Sequence, residues 1–280
     1  MRKTNRWLRI SLYHLFVILF GILMIYPVLW MLFSSFKDNT EIFGTASLIP
    51  KHFRLDSYVR GWQGVGGLPF GVFFKNSFYY VILATIGTVF SSAVVAYGFA
   101  RIKFFAKNFW FVCMLLTMMI PYQVVMIPQF ILFFKIGWVN SFLPLIVPMF
   151  CGQPFFVFLM IQFIRGLPLE LDESAKIDGC GRFRIFSKII FPLISPAIIT
   201  TTIFQFYWRW DDFLGPLLYL NKPRLYTVSL ALRMFADPAT ATDWGGMFAM
   251  GTLSLVPIFI IFISFQRYLV EGISTTGLKG

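Results

Sequence analysis

The chain has 280 residues, 58% of them hydrophobic and 13% charged, with 36 Phe, 8 Trp and a mean hydropathy of +0.75. About a quarter of the residues of a soluble domain are charged, so this composition excludes a chain that covers its own surface with polar groups and points to lipid as its solvent. The net charge of +12 is assigned to the basic flanks of membrane spans, and no nucleic acid is expected as a partner.

The N-terminus, MRKTNRWLR, leads into an apolar run from Leu12 to Phe33. That run is longer than the roughly 7–15 residues of a cleavable signal core, and no A-x-A site follows it. An uncleaved anchor helix is predicted. The second apolar segment, Phe78–Ala100, carries Ala84, Gly87, Ser91, Ser92, Ala93, Ala96 and Gly98 at near-helical spacing, a strip that lets another helix approach closely. The third, Phe109–Phe134, is interrupted by Pro121 and Pro128, and the fourth, Phe142–Phe163, contains Pro144, Pro148 and Pro154. Each proline removes a backbone donor, and in lipid the freed carbonyls need neighbours or a water-lined cavity. The pair is therefore expected to line such a cavity. The fifth segment runs from about Leu193 to Leu220 and the sixth from about Met247 to Phe265. The fold class expected is an all-α polytopic membrane protein of six transmembrane helices.

Basic residues in the short connections orient these spans. Arg2, Lys3, Arg6 and Arg9 precede the first, and Arg101, Lys103 and Lys107 follow the second. Arg165, Lys176, Arg182, Arg184 and Lys188 lie between the fourth and fifth, whereas Lys135 stands alone between the third and fourth. Both termini then face the cytoplasm. The expected divisions are 1–74 (N-terminal segment, first span and long outer loop), 75–267 (the transmembrane domain, with a special loop at 165–192) and a cytoplasmic tail at 268–280. The tail, EGISTTGLKG, is polar and Gly-rich, as frayed termini are. Cys113, Cys151 and Cys180 show no metal-ligand spacing and no disulfide framework, so they are read as small buried hydrophobes.

The connection between the fourth and fifth segments, LPLELDESAKIDGCGRFRIFSKIIFP (Leu167–Pro192), gathers much of the chain's charge. Pro168 suits the first position of a helix, and Glu170, Asp172 and Glu173 favour its positive end. The helix is expected to end near Asp178, where Gly179 and Gly181 turn the chain. A second short helix, Arg182–Phe191, then places Phe183, Phe186, Ile189 and Ile190 on one side, with Arg182, Arg184 and Lys188 largely on the other. Two occupants of such a surface are open: lipid headgroups, or a protein cleft, which a mixed-sign surface with an apolar stripe fits better.

In the fifth segment Trp208, Arg209, Trp210, Asp211 and Asp212 form a charged aromatic cluster. Ionisable groups at membrane depth are functional candidates, and aromatic faces beside carboxylates suit sugar rings. An Arg209–Asp ion pair within an interfacial aromatic belt is the competing reading. Gln123, Gln129 and Gln153 are further candidates for the pathway, or amides that bridge helices.

Glu173-Ser174-Ala175, three residues, Gly179, nine residues, then Ile189-x-Phe191-Pro192 resembles the E-A-A loop of binding-protein-dependent ABC importer permeases, with Ser174 in place of Ala and Phe191 in place of Leu. The preceding Leu167-Pro168-x-Glu170-Leu171 supports the match. WRWDDFLGPLL (Trp208–Leu218) and the terminal GLKG are similar to the carbohydrate branch, although Asp211 and Asp212 stand where an amide is usual. The resemblance covers most of the chain, with its specificity concentrated in the loop. It implies the type I importer permease fold and a sugar, in particular an oligosaccharide, as cargo. It also implies a multi-pass bacterial cytoplasmic-membrane location and three kinds of protein partner: a second, homologous permease subunit, two ATPase subunits and an extracytoplasmic solute-binding protein. The loop would dock on an ATPase through Glu173, Ser174, Ala175, Asp178, Gly179, Arg182, Phe183, Ile189 and Pro192, with Glu173 and Asp178 facing basic residues. Ala175 and Gly179 would allow close approach, and the tail could reach between the ATPases. The chain itself would need no cofactor: GxxxxGK[ST] is absent from it, and ATP and Mg would be bound by the ATPase subunits. Two other classes stay open on the residues alone. An ion-coupled secondary transporter would need membrane-buried carboxylates or paired repeats, and no repeat relates the two halves. A membrane enzyme would use Asp211 and Asp212, but neighbours on a helix point about 100° apart and share a proton poorly.

Overall fold

The computed structural model describes residues 2–45, 47–235 and 243–277. Its helices, in chain order, are α1 (Arg2–Ser34), α2 (Asn39–Gly44), α3 (Asp56–Gln63), α4 (Phe70–Arg101), α5 (Lys107–Thr117), α6 (Tyr122–Lys135), α7 (Leu143–Ile146), α8 (Pro154–Arg165), α9 (Glu170–Ile177), α10 (Arg182–Ile185), α11 (Phe191–Leu193), α12 (Ser195–Trp210), α13 (Leu214–Tyr219), α14 (Val228–Met234) and α15 (Trp244–Gly277). Among the described residues the only extended pairing is an isolated bridge between Val65 and Leu68.

Four stretches are long and apolar enough to cross a membrane: Arg9–Ser34, Phe70–Arg101, Leu143–Arg165 and Trp244–Arg267. Two further helix pairs pass the same test only together. Lys107–Thr117 with Tyr122–Lys135 is bent by 97°, and Arg182–Leu193 with Ser195–Trp210 by 75°. The third apolar segment of the sequence is thus broken, and Pro121 explains the break. It caps α6 in an extended conformation (φ −60°, ψ 136°), offers no N–H, and biases the preceding residue away from helix. Pro128, by contrast, sits inside α6. In the fourth segment Pro144 and Pro154 occupy the first turns of α7 and α8, and Pro148 opens the 3₁₀ turn at Val147–Cys151. These prolines start helices, where a missing N–H costs nothing. The fifth segment, expected from about Leu193 to Leu220, is not one continuous helix. α12 ends at Trp210 and α13 restarts four residues on, because the Asp212 carboxylate accepts the Gly215 N–H at 3.0 Å and so begins a new helix. At the C-terminus α15 continues to Gly277, so residues 268–277 of the expected tail are helical, and 278–280 lie outside the described residues.

The chain forms two compact units, Met1–Gly71 with Ala231–Val256, and Val72–Leu230 with Pro257–Gly280. Within the first, the start of α15 is held by the outer segment. Asn39 Oδ1 accepts the Gly245 N–H at 2.9 Å, Arg60 pairs with Asp243 at 3.3 Å, and Trp30 meets Phe248 with ring centroids 5.1 Å apart. Lys37 is buried and donates to the Ser47 carbonyl.

Within the second unit, α4 is the central post. Ala84, Ser92, Ala93 and Ala96 of its small-residue strip are fully buried. The strip receives the break before α8. Gly152 N–H donates to Ser91 Oγ at 3.0 Å, and Gln153 N–H to Ser92 Oγ at 3.1 Å. The hydroxyls satisfy backbone donors that no helix can use, as an apolar surrounding requires. Gly87 faces the Phe150 ring, and a Cβ built there would meet ring atoms at 2.5 Å. Gly87→Leu is therefore expected to lower stability by about 1–3 kcal/mol through overpacking, read as a lower thermal midpoint of the detergent-purified protein. Gly98→Ala, with open space at its Cβ, is the control and should not lower the midpoint, since Ala is favoured over Gly within a helix.

Candidate functional site: the charged loop and the cavity

The charged loop is two helices on a fixed corner. α9 starts at Glu170, two residues later than Pro168 suggested, and ends at Ile177. Gly179 then takes φ +77°, and the Cys180 N–H returns to the Ala175 carbonyl (2.9 Å) while the Gly179 N–H bonds that of Lys176 (3.0 Å). This pair of bonds closes a left-handed helix cap. Gly181 has φ −69°, open to any residue, so the turn depends on Gly179 alone. The second helix is α10, a π turn over Phe186–Ile190, and α11.

The corner rests on an apolar core in which Ala93, Ala96 and Tyr97 of α4 meet Ala175, Ile185, Phe186, Ile190 and Ile194. Two sequence expectations change here. Phe183 does not join Phe186 and Ile190 on the inner face; it is 78% exposed, and Ile185 is buried there with Phe186 instead. Ala175, expected to face a partner closely, is buried against the chain's own core. Glu173, Ser174, Asp178, Gly179, Arg182 and Pro192 are exposed, and Ile189 is half-buried. Ile177, not singled out from the sequence, is 87% exposed, so the outer surface around the Gly179 turn carries two large apolar side chains among mixed charges.

Asp172 and Arg101 were also missed. Asp172 does not face solvent with Glu170 and Glu173. Its Oδ2 lies 3.1 Å from Arg101 Nε, with the two side chains 7% and 6% exposed. Arg101 Nη2 donates to the Leu167 carbonyl at 2.8 Å and approaches that of Pro168 at 3.4 Å. The available signal was phase: Asp172 is three residues before Ala175, on the buried face of α9.

A cavity of about 750 Å³ opens where α6, α7, α8, α12 and α13 converge. Of the sequence candidates, Gln129, Gln153, Trp208, Arg209, Asp211 and Asp212 line it, together with Tyr122, Phe133, Phe213 and Tyr219. Gln123 is exposed and lies outside the lining. Trp210 is 6% exposed and packed on Phe78 (4.9 Å between centroids) and Phe206 (5.6 Å), so it belongs to the core and not to the cavity wall. Successive residues of α12 point about 100° apart, which sends Trp208 to the cavity and Trp210 away from it. The ion pair weighed from the sequence is present: Arg209 Nη1 lies 3.4 Å from Asp212 Oδ2, which also accepts the Tyr80 hydroxyl at 2.8 Å. Gln205 is a bridging amide, donating to Thr88 Oγ1 at 2.9 Å.

The model of the family described as binding-protein-dependent transport system inner membrane component matches residues 89–275. The chain belongs to this family. Membership sets aside the ion-coupled transporter and the membrane enzyme, since its members are non-enzymatic permease subunits served by separate ATPases. The chain is similar to the arabinooligosaccharides transport system permease protein AraQ of Bacillus subtilis (32% identity, covering 95% of this chain and 94% of that one). It is also similar to the trehalose/maltose transport system permease protein MalG of Thermococcus litoralis (31%, 94% of each). The solved structure of a bacterial ABC transporter involved in the import of the acidic polysaccharide alginate has a chain of the same fold, with a TM-score of 0.83 over 95% of this chain and 97% of that one at 18% identity. The type I importer permease fold follows.

Proposed function

We propose that the chain is one transmembrane subunit of an ATP-driven importer of neutral oligosaccharides in a bacterial cytoplasmic membrane. It crosses the membrane six times with both termini cytoplasmic, forms half of the pathway with a second permease, receives cargo from an extracytoplasmic binding protein, and is driven by two ATPase subunits that hold the ATP and Mg. The sugar assignment rests on the relatives' own cargo, and the cavity chemistry agrees with it. Trp208, Phe213 and Tyr122 offer ring faces, Gln129 and Gln153 offer amides, and the charged lining residues are Arg209, Asp211 and Asp212. Because Arg209 is engaged by Asp212, no free cation in this lining invites an acidic sugar.

The observation that carries the coupling role is the outward apolar pair Ile177 and Phe183, flanked by Glu173, Asp178 and Arg182 on a corner held from beneath by the core. Burying such a side chain in a partner's cleft contributes about 1.5–3 kcal/mol. The double substitution Ile177→Glu with Phe183→Glu is therefore expected to weaken association with the cognate ATPase by about a hundredfold or more, seen as loss of the ATPase from the affinity-purified membrane complex. The amount of the chain in the membrane fraction should not change. Retention of the ATPase at the wild-type ratio would refute docking through this corner.

A further inference from the structure

An arginine at the end of an apolar helix ordinarily extends its head to water or lipid headgroups. Arg101, the last residue of α4, does not: its side chain is 6% exposed and turned onto the charged loop. Every contact it makes there falls on the 167–172 segment, at Asp172 Oδ2, the Leu167 carbonyl and the Pro168 carbonyl. A planar guanidinium engaged at several points fixes orientation as well as distance. One turn earlier on α4, Tyr97 packs on Phe186 with centroids 5.2 Å apart. The end of α4 therefore grips the segment before the Gly179 turn by charge, and the segment after it by packing.

Three turns back along the same helix, α4 reaches the break beside the cavity. Ser91 and Ser92 hold the N–H groups of Gly152 and Gln153, and Gln153 lines the cavity. Ten residues of helix separate Arg101 from Ser91, about 15 Å at 1.5 Å per residue. We propose that Arg101 is a positioning residue that makes α9 and α4 move as one body, so that displacement of the loop reaches the 152–153 break at the cavity through α4. This rests on the importer reading above. Two covalent routes join the loop to the cavity as well: α8, which runs back from Arg165 to Pro154, and the 75° bend between Arg182–Leu193 and α12. The α4 route differs from both in depending on the side-chain contacts of Arg101.

The test uses the assembled transporter with its partner subunits. The background carries Cys113→Ser, Cys151→Ser and Cys180→Ser, with Gln129→Cys as a maleimide probe in the cavity. The wild-type pair is expected to show a several-fold difference in labelling rate between nucleotide-free and vanadate-trapped complexes. The double variant Arg101→Met/Asp172→Leu removes both buried charges together, which avoids the stranded charge that a single substitution leaves. It is expected to retain ATP hydrolysis by the partner subunits while the difference in labelling falls toward unity. Arg101→Lys keeps the charge without the fork and should give an intermediate difference, and it serves as the second reading if the double variant fails to assemble. A double or Lys variant whose labelling difference per ATP hydrolysed equals wild type would overturn the proposal and leave Arg101 as a simple anchor. Absence of any nucleotide-dependent labelling with the wild-type pair would instead count against the importer reading itself.

Discussion

Gly179→Val is expected to abolish coupling between ATP hydrolysis and transport while leaving membrane insertion intact. Gly179 sits at φ +77° and a Cβ built on it meets nothing within 4 Å, so a side chain there causes no clash within the chain. The penalty is one of backbone conformation, about 1–2 kcal/mol for an L residue and more for a β-branched one. That is enough to open the cap in which Cys180 and Gly179 donate to Ala175 and Lys176. Once the cap opens, the angle between α9 and the helix after it is no longer fixed, and Ile177 and Phe183, which flank the turn, no longer meet one rigid cleft together. Gly179→Asn is the control, because Asn tolerates the left-handed region; it should keep most of the coupling. Membrane-fraction yield measures insertion, and the ratio of cargo uptake to ATP hydrolysed in reconstituted vesicles measures coupling. Equal ratios for the Val and Asn variants would show that the turn conformation does not matter.

What could be read from the sequence follows from the range of the interactions that decide each feature. The apolar runs at Leu12–Phe33, Phe78–Ala100 and Met247–Phe265 each fall within a helix because hydrophobic content over about 20 residues is a local quantity. The C-terminal end of α9 and its Gly179 turn were legible for the same reason: the acidic first turn and the glycine lie within ten residues of each other. The bend at Pro121 was legible as an interruption, but its 97° angle was not, since the angle is set by what α5 and α6 pack against. Asp172 failed in a different way. Its helix-dipole explanation was adequate locally, and only the fold reveals a buried arginine 71 positions away that takes it out of solvent. Trp208 and Trp210 could be separated only once the phase of α12 against α4 was known, because both are aromatic, adjacent to charge and equally plausible in sequence. Local chemistry thus identified the loop and the cluster; three-dimensional partners decided which members face outward, which face the cavity and which belong to the core.

The adjacent carboxylates Asp211 and Asp212 are expected to respond oppositely to removal. Asp212 is a structural knot. One oxygen accepts the Gly215 N–H that begins α13, at 3.0 Å, and the other accepts the Tyr80 hydroxyl at 2.8 Å and pairs with Arg209 at 3.4 Å. Tyr80 is fully buried, so Asp212→Ala removes the acceptor of its hydroxyl and the counter-charge of Arg209, leaving the two only their mutual 3.4 Å contact. Hydrogen bonds to charged groups are worth roughly 1.5–3 kcal/mol, and breaking a fully buried pair costs about 3–5 kcal/mol. The Arg209 and Asp212 side chains keep 24% and 17% exposure, which lets water recover part of the loss, so a destabilisation of about 3 kcal/mol is expected. It would be read as a fall in the thermal midpoint of the purified protein and a lower yield. Asp212→Asn, which can still accept from Gly215 and Tyr80, should lose less. Asp211 is exposed, with its backbone N–H bonded to the Tyr207 carbonyl and its side chain in the cavity lining. Asp211→Ala should therefore move stability by no more than about 0.5 kcal/mol. It would, however, change the summed formal charge of Arg209, Asp211 and Asp212 from −1 to 0, and so alter the rate at which charged relatives of the cargo are taken up. Thermal midpoints that fall equally for the two alanine variants would mean that Asp211 shares the Arg209 pairing. A fall confined to Asp211→Ala would place the knot on the wrong carboxylate, since the distances assign it to the residue three positions after Arg209 and three before Gly215.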